Sequence, residues 1–475
     1  MGADKTARAR EAAAVVLWRG DAAAPEILWV RRHDRMEFLG GCWAFPGGLR
    51  AAGDDDLWVT AARELREELG LALRPVDLTP LARWGTPAYV AQQLDAQYFL
   101  AAAPGRLAAA GAPAPEIAAA EIAAAEWIAP DEALARWERG EALVPEPVFQ
   151  TLRALGAAAG GLHGAEARCA AAAAADPDGH RVEFTPLVRL VVLRSPTLPP
   201  ATHTTCFIVG DRELCVVDPG SPFPEEQARL DAVLDALAAE GRRVREVRVT
   251  HHHFDHVGGV EHLRARLPGV PIAAHRRTAE LLAGRVRFDR HIDDGEVLAL
   301  DAGTPGERRL RAVFTPGHTP GHLCYLEEVT GVLIAGDMLA GAGFIVIDPP
   351  EGDMRQYLDS LARLKALAPR AIYPAHGLVI ADAAARLDEY VAHRLAREAK
   401  VAAALDAATV ARRAGAGSGA AGAGATLAEL LPVAYDDTPL LLHPIAARSL
   451  HAHLLKLQAD ARAREVAPGR WVGAP

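Results

Sequence analysis

The stretch VTHHHFDHVGG, Val249–Gly259, places four histidines and one aspartate within six positions and closes on two glycines. REVRVT before it alternates apolar and charged residues, as a half-buried strand does, and GGVEHLRARL after it has helical spacing. The histidines therefore fall where a strand hands over to a helix. Side chains alternate along an extended segment, so His251 and His253 are expected on one side, able to share an ion, with His252 on the other. Asp255 and His256 lie at the helix entry, where the turning chain can aim a carboxylate and an imidazole at a second ion. Gly258 and Gly259 would let that helix pack close.

Three distant segments carry the same signal. FTPGHTPGH presents His318 from a turn after a strand, VLIAGD ends an apolar strand in Asp337, and AIYPAHG ends another in His376. Each polar residue sits at the mouth of a strand, where α/β sheets hold their ligand-binding groups. Together these segments resemble the metallo-β-lactamase superfamily over residues 185 to about 400, which implies an αββα sandwich. The resemblance implies that His251, His253 and His318 bind one metal, that Asp255, His256 and His376 bind a second, and that Asp337 bridges them. It also implies catalytic roles for Asp255 and Asp337, and makes Asp218 in VVDPG an orienting residue behind a ligand. His252 and His322 fall outside the ligand pattern. Imidazole and carboxylate ligands favour two Zn²⁺, with Mn or Fe as alternatives, and ions with open positions activate water. Hydrolysis without a Ser or Cys nucleophile is the expected chemistry.

A second motif lies upstream. In AARELREELGL, Glu64, Glu67 and Glu68 fall at i, i+3 and i+4, so a helix would gather three carboxylates on one face. Taken alone, that reads as a solvated face neutralised by Arg63 and Arg66. About fifteen residues earlier, CWAFPGGLR offers a tight turn at Gly47 and Gly48, and a turn before an acidic helix suits a hard cation bound with a pyrophosphate. The pair resembles the Nudix hydrolase box. Arg63 to Leu71 matches its second half in full. In the first half aspartate, Asp54 or Asp55, replaces the family's glutamate, and the spacing is one residue longer. The resemblance spans most of residues 10 to 155 and implies an α/β/α sandwich. It further implies Mg²⁺ or Mn²⁺ on Glu67 and Glu68, water activation by Glu64, a substrate-binding turn at Gly47 and Gly48, and cleavage of nucleoside-diphosphate or CoA-type pyrophosphates.

Composition bounds the rest. A chain of 475 residues with 50% hydrophobic content can bury about three cores. The division expected is an N-terminal domain over residues 9–156, a linker over 157–180, and a central domain over 181–400. A helix end and Gly/Ala-rich linker follow over 401–425, then a C-terminal helical module over 426–472. That module, with EVAPGRW as a wing turn, resembles the winged-helix-like domain of the β-lactamase-like endoribonuclease subgroup. The overall class is thus mixed α/β and α+β, in several domains.

The net charge of −10 gives no global attraction to nucleic acid. Basic residues after Ala425, namely Arg448, Lys456, Arg462, Arg464 and Arg470, are offset by acidic ones. Five scattered cysteines without a CxxC pair argue against a disulfide framework, and no apolar run reaches membrane length. A cytoplasmic location is expected, with no membrane partner; oligomeric state is not legible. Cleavage of single-stranded RNA is the sharpest reading of the substrate, a small thioester or other ester is its rival, and a nucleotide or CoA conjugate cut by both domains is a third. The N-terminal domain is either a second hydrolase or a non-catalytic nucleotide or CoA sensor.

Overall fold

The computed structural model describes residues 9–36, 38–85, 93–109, 111–117, 120–175, 182–199, 201–415 and 424–474. Most of the Gly/Ala-rich tract, 416–423, and residues 176–181, the end of the first expected linker and the first residue of the expected central domain, lie outside the described residues.

In the N-terminal region the strand Arg10–Asp21 is the spine of a mixed sheet. It pairs antiparallel with Ala24–Arg32 and Gly47–Leu49 and parallel with Leu94–Ala102. Alternation sends its Val15 and Leu17 into one core and Val16 into another. The helix Leu57–Leu69 covers the first face with Leu57, Ala61, Leu65 and Leu69, a stripe at every fourth residue. It starts on Asp56, whose carboxylate accepts from the Val59 N–H, and stops at left-handed Gly70. Helices Pro130–Glu138 and Glu146–Leu155 cover the other face.

The segment expected as a linker is in part a helix, Ala165–Ala175. Its Ala165 and Cys169, one turn apart, are buried in the N-terminal core beside Ala154 and Leu155. Arg168 ties it down by donating to the Ala154 carbonyl at 2.7 and 2.9 Å. A run of alanines is a strong helix former, and two small residues on one face suffice to seat it. Composition, low in large apolar residues, concealed that.

The central region is built of two facing sheets. One runs in the order Arg290–His291, Ile272–Ala274, Arg243–Arg248, Glu213–Val217, His203–Val209, Val188–Arg194, Val182–Thr185. The other runs Val297–Leu300, Arg308–Phe314, Leu323–Glu327, Val332–Gly336, Ala371–Pro374. Phe207, Val217, Tyr325, Ile334 and Tyr373 meet between the sheets. The alternate residues Cys206, Ile208 and Val216 face the helices Pro224–Ala239 and Val260–Arg266 outside. Cys324, Leu333 and Ile372 likewise face Met354–Ala366 and the long helix Ala383–Gly415. Both faces of both sheets are covered, so strands such as Glu213–Val217 and Val332–Gly336 read as apolar runs. Arg243–Arg248 alternates as a half-buried strand would, yet its charged Glu246 and Arg248 are buried, paired with each other at 2.7 Å. The result is an αββα sandwich.

The C-terminal region packs helices Leu427–Ala434 and His443–Ala459 and the hairpin Ala463–Ala467/Arg470–Gly473 around Trp471. Val401, Ala404 and Leu405 of the long helix complete that core, which joins it to the sandwich. At the other end, Cys42 lies in the central core, and both the Trp137 indole and the Val144 N–H donate to the Phe184 carbonyl, at 3.1 and 3.2 Å.

Candidate metal centre

Asp218, His251, His318, Asp337 and His376 each follow the C-terminal end of a strand, and all those strand ends open at one edge of the sandwich. The residues His251–His253 lie just beyond the strand Arg243–Arg248, in a short link before the helix Phe254–Val257. Their side chains nonetheless diverge as an extended segment requires. His251 and His253 converge, with Nε2 of one 3.0 Å from Nδ1 of the other, whereas His252 turns to Glu351 at 2.8 Å. His318 Nε2 completes the triplet at 3.1 Å from His253 Nδ1. Gly220 makes room for the loop: a Cβ there would sit 1.8 Å from the Asp255 carbonyl.

Among the described residues three groups of donor atoms are each gathered within 4.8 Å: His251, His253, His318 and Asp337; Asp255, His256 and His376; and His252, His253 and Glu351, the last less buried and with Glu351 exposed. The first two face each other across a gap. The carboxylate of Asp337 is shared between them. Its Oδ1 lies 3.4 Å from His256 Nε2 and 3.3 Å from His376 Nε2, while its Oδ2 lies 3.5 Å from His318 Nε2 and 3.9 Å from His251 Nε2. Asp255 Oδ2 stands 3.5 Å from His376 Nε2.

The imidazoles are oriented from behind. His256 Nδ1 donates to Asp218 at 2.8 Å, and His251 Nδ1 reaches the same carboxylate through the Thr250 hydroxyl, at 3.0 and then 2.6 Å. His318 Nδ1 donates to the Val346 carbonyl and His376 Nδ1 to the His203 carbonyl, both at 2.9 Å. In each case the hydrogen bond commits one ring nitrogen and leaves the other lone pair facing the gap. Asp337 is steadied in turn, its N–H donating to His322 Nε2 at 3.1 Å while the Thr315 hydroxyl engages His322 Nδ1 at 2.9 Å.

Electrostatics and polar bookkeeping fit metal ions. Burial pushes His251 well below its ordinary pKa, takes His253 down to about 2 and lowers His318, so all three offer neutral lone pairs. Burial also opposes charge on His256, but the carboxylates of Asp337, Asp218 and Asp255 outweigh it and hold its pKa well above the usual range. The cluster therefore favours a positive charge at that spot. His256 Nε2 and Asp337 Oδ1 are buried without a hydrogen-bond partner among the described residues, which is costly unless something else satisfies them. A cation between them would.

Sequence reasoning set His322 outside the ligand pattern, where the donor groups also leave it, but did not see its support of Asp337, and it passed over Thr250 and the carbonyls of Val346 and His203. The second histidine of FTPGHTPGH was a visible signal for His322. The carbonyls carry no signal in residue identity.

The carboxylate helix has a different character. Gly47 N–H donates to Glu68 at 2.8 Å, and a Cβ on Gly48 would come within 2.6 Å of the Glu64 carboxylate, so the turn lies directly against the helix. Burial raises Glu64 and pushes Glu68 up to about 8, with the Gly47 N–H opposing the latter. Arg63 pairs with Asp54 at 3.0 Å and with Glu64 and Glu67 at 2.8 Å each. Of the two aspartates open to that role, Asp54 takes it. It is buried, held down to about 2 by the Arg63 guanidinium, and also accepts from Ala51 N–H and the Thr60 hydroxyl at 2.9 Å each. Asp55 is exposed.

The fold is an αββα sandwich with two facing groups of potential metal donors at one edge, the class to which the comparisons with known proteins also point. Residues 199–376 match the Metallo-beta-lactamase superfamily, residues 8–146 the NUDIX domain, and residues 426–471 the Beta-lactamase associated winged helix domain. The "Lactamase-like protein adaB" of Aspergillus niger is 31% identical over 278 residues, 57% of this chain and 82% of that protein. An "Atrochrysone carboxyl ACP thioesterase" of Aspergillus chevalieri is 31% identical over 48% of this chain and 68% of its own. Among solved structures, a beta-lactamase domain protein from Burkholderia ambifaria aligns with TM-score 0.50 and 22% identity, covering 62% of this chain and 93% of that one, a likeness of fold. The chain belongs to the metallo-β-lactamase superfamily and carries a Nudix domain before, and a winged-helix domain after, the metallo-β-lactamase domain. No helix among the described residues is long and apolar enough to cross a membrane.

Proposed function

We propose that the central domain is a dinuclear zinc hydrolase of thioesters, with His251, His253, His318 and Asp337 holding one ion and Asp255, His256, His376 and Asp337 the other. The observation that carries this reading is the division of the Asp337 carboxylate, one oxygen facing each set of imidazoles. When bound, such a pair of ions supplies an activated water and polarises the carbonyl under attack. The protein supplies placement. Asp218 holds His256 directly and His251 through Thr250, and His322 holds the backbone of Asp337, so the donors are set before substrate arrives. Asp255, at the rim beside His376, is placed to hold or pass a proton as the leaving group departs.

Two observations favour a thioester over RNA. A relative named as a thioesterase is 31% identical over 230 residues of this chain. Four of the five basic residues of the winged-helix domain, all but Arg464, are also already engaged. Arg448 pairs with Asp348, Lys456 with Glu398 and Asp460, Arg462 with Glu398, and Arg470 bonds the Gly424 carbonyl. Phosphate-backbone binding needs cations to spare. The deciding assay offers the zinc-loaded chain an acyl-CoA, an acyl N-acetylcysteamine and an unstructured RNA oligonucleotide. Thioester hydrolysis lost on His253→Ala is expected; RNA cleavage without thioester turnover would sink the proposal.

For the N-terminal domain we propose magnesium-dependent cleavage of a nucleotide or CoA pyrophosphate. Glu67 and Glu68 would hold the ion, Glu64 would help activate water, and Gly47 and Gly48 would lie against the substrate. Ligand binding in calorimetry with no turnover across a nucleotide and CoA panel would instead make the domain a sensor. The five cysteines, all buried and free, fit a reducing compartment such as the cytoplasm.

A further inference from the structure

We infer that the winged-helix domain helps set the first metal position, with Ser449 acting as a positioning residue for His318. The inference rests on reading His251, His253, His318 and Asp337 as a metal site.

Between Asp337 and the helix Met354–Ala366 the chain runs past the metal centre as a strap, pinned along its length. The long helix Ala383–Gly415 holds its first part. Ala340 N–H donates to the Tyr390 hydroxyl at 2.8 Å, that hydroxyl donates to the Gly343 carbonyl at 3.0 Å, and Arg386 donates to the Ala340 and Gly343 carbonyls at 3.0 and 2.8 Å. Buried Arg394 donates to the Ile345 carbonyl. Next comes the Val346 carbonyl, which receives the His318 Nδ1 proton. Immediately after it, the Ile347 N–H donates to the Ser449 hydroxyl at 3.3 Å, and Arg448 pairs with Asp348 at 3.1 Å. The strap then returns to the centre, where Glu351 meets His252 and Asp353 N–H donates to the Gly317 carbonyl at 2.8 Å.

The orientation of His318 thus depends on a backbone carbonyl fixed on either side by anchors at Ile345 and Ile347. The second anchor comes from the winged-helix domain. Ile347 is fully buried and Ser449 is 6% exposed, so water cannot replace the hydroxyl. Ala452, one turn further along the same helix, is packed in the sandwich core with Met338 and Tyr357, so the contact sits in a dry interface. Losing the hydroxyl frees the strap next to Val346 and leaves His318 poorly aimed, while the second metal position, oriented through Asp218 and the His203 carbonyl, is untouched.

The test is zinc affinity by competition with a chromophoric chelator, on the full-length chain. His376→Ala leaves the first position to be read, and His253→Ala leaves the second. Adding Ser449→Ala should weaken zinc about tenfold in the first background, the low end for loss of an orienting partner, and change nothing in the second. Ser449→Thr, which keeps the hydroxyl, should restore the first. Arg355→Ala removes the Arg355–Asp460 contact between the same two bodies away from Val346, and should leave both positions unchanged. Equal losses at both positions, no loss at either, or the same loss from Arg355→Ala would overturn the inference. A wild-type chain that binds fewer than two zinc ions would overturn the metal-site reading itself, and the inference with it.

Discussion

The two acidic corners of this chain solve the problem of concentrated charge differently. In the central domain, carboxylates and imidazoles from four strand ends meet with no arginine or lysine among the described residues paired to them. Buried donor atoms are left unsatisfied, and His256 is held toward its charged form. In the Nudix domain the carboxylates lie along one helix, and Arg63 already pairs with Asp54, Glu64 and Glu67. The first corner lacks a cation that an ion would supply. The second carries a cation in its own sequence. Donors fixed by separate strands are preorganised for a metal, whereas donors on one helix beside an arginine must exchange one cation for another.

The largest test of this contrast removes a donor. His251→Ala should abolish the first metal position and lower zinc-dependent hydrolysis on the order of 10³-fold, since polarisation by an ion contributes several kcal/mol. Full zinc content by plasma emission spectroscopy after that change would break the comparison. Asp218→Asn, which keeps the shape but removes the charge behind His256 and Thr250, should weaken zinc by about 10–100-fold. Affinity unchanged by chelator competition would mean that the hydrogen bonds, rather than the charge, do the orienting.

A pH measurement sharpens the Nudix side. In metal-free protein Glu68 keeps its proton up to about 8, against about 4.3 in an unfolded chain. Between those values the folded state binds more protons than the unfolded state, so stability falls as pH rises. Thermal melts in chelator should drop by several degrees between pH 5 and 8. Glu68→Gln should flatten that slope, and saturating Mg²⁺ should reduce it; a flat wild-type profile would show that Glu68 ionises freely. The smallest effect is expected at His252→Ala, where the side chain faces Glu351 rather than either donor set. Two zinc ions should remain bound, with affinities within about twofold of wild type, the scale of an exposed ion pair. Loss of one ion would enlarge the metal site beyond the residues assigned to it.

Much of this was legible in the chain itself, because side-chain alternation and the placement of polar residues after apolar strands are local properties. They separated His252 from His251 and His253 and marked His318, Asp337 and His376 as strand-end residues before any fold was in view. The RELREELG helix was equally plain. The helical content of 157–180 was not, since small residues on one helix face leave no large apolar signature. The choice of Asp54 over Asp55 was undecidable in one dimension. It depends on which carboxylate the helix start turns inward toward Arg63.

The sequence by itself thus determined the kinds of donor atoms and the strand ends that present them, for those follow from residue type and short-range periodicity. Only the tertiary structure decided how the donors pair across the gap, which Asp337 oxygen faces which group, and which carbonyls orient His318 and His376. It also decided that Ser449, over a hundred residues beyond His318, holds the backbone beside one of those carbonyls. Backbone carbonyls are identical in every residue, so only the path of the folded chain distinguishes the one that holds a ligand from the hundreds that do not.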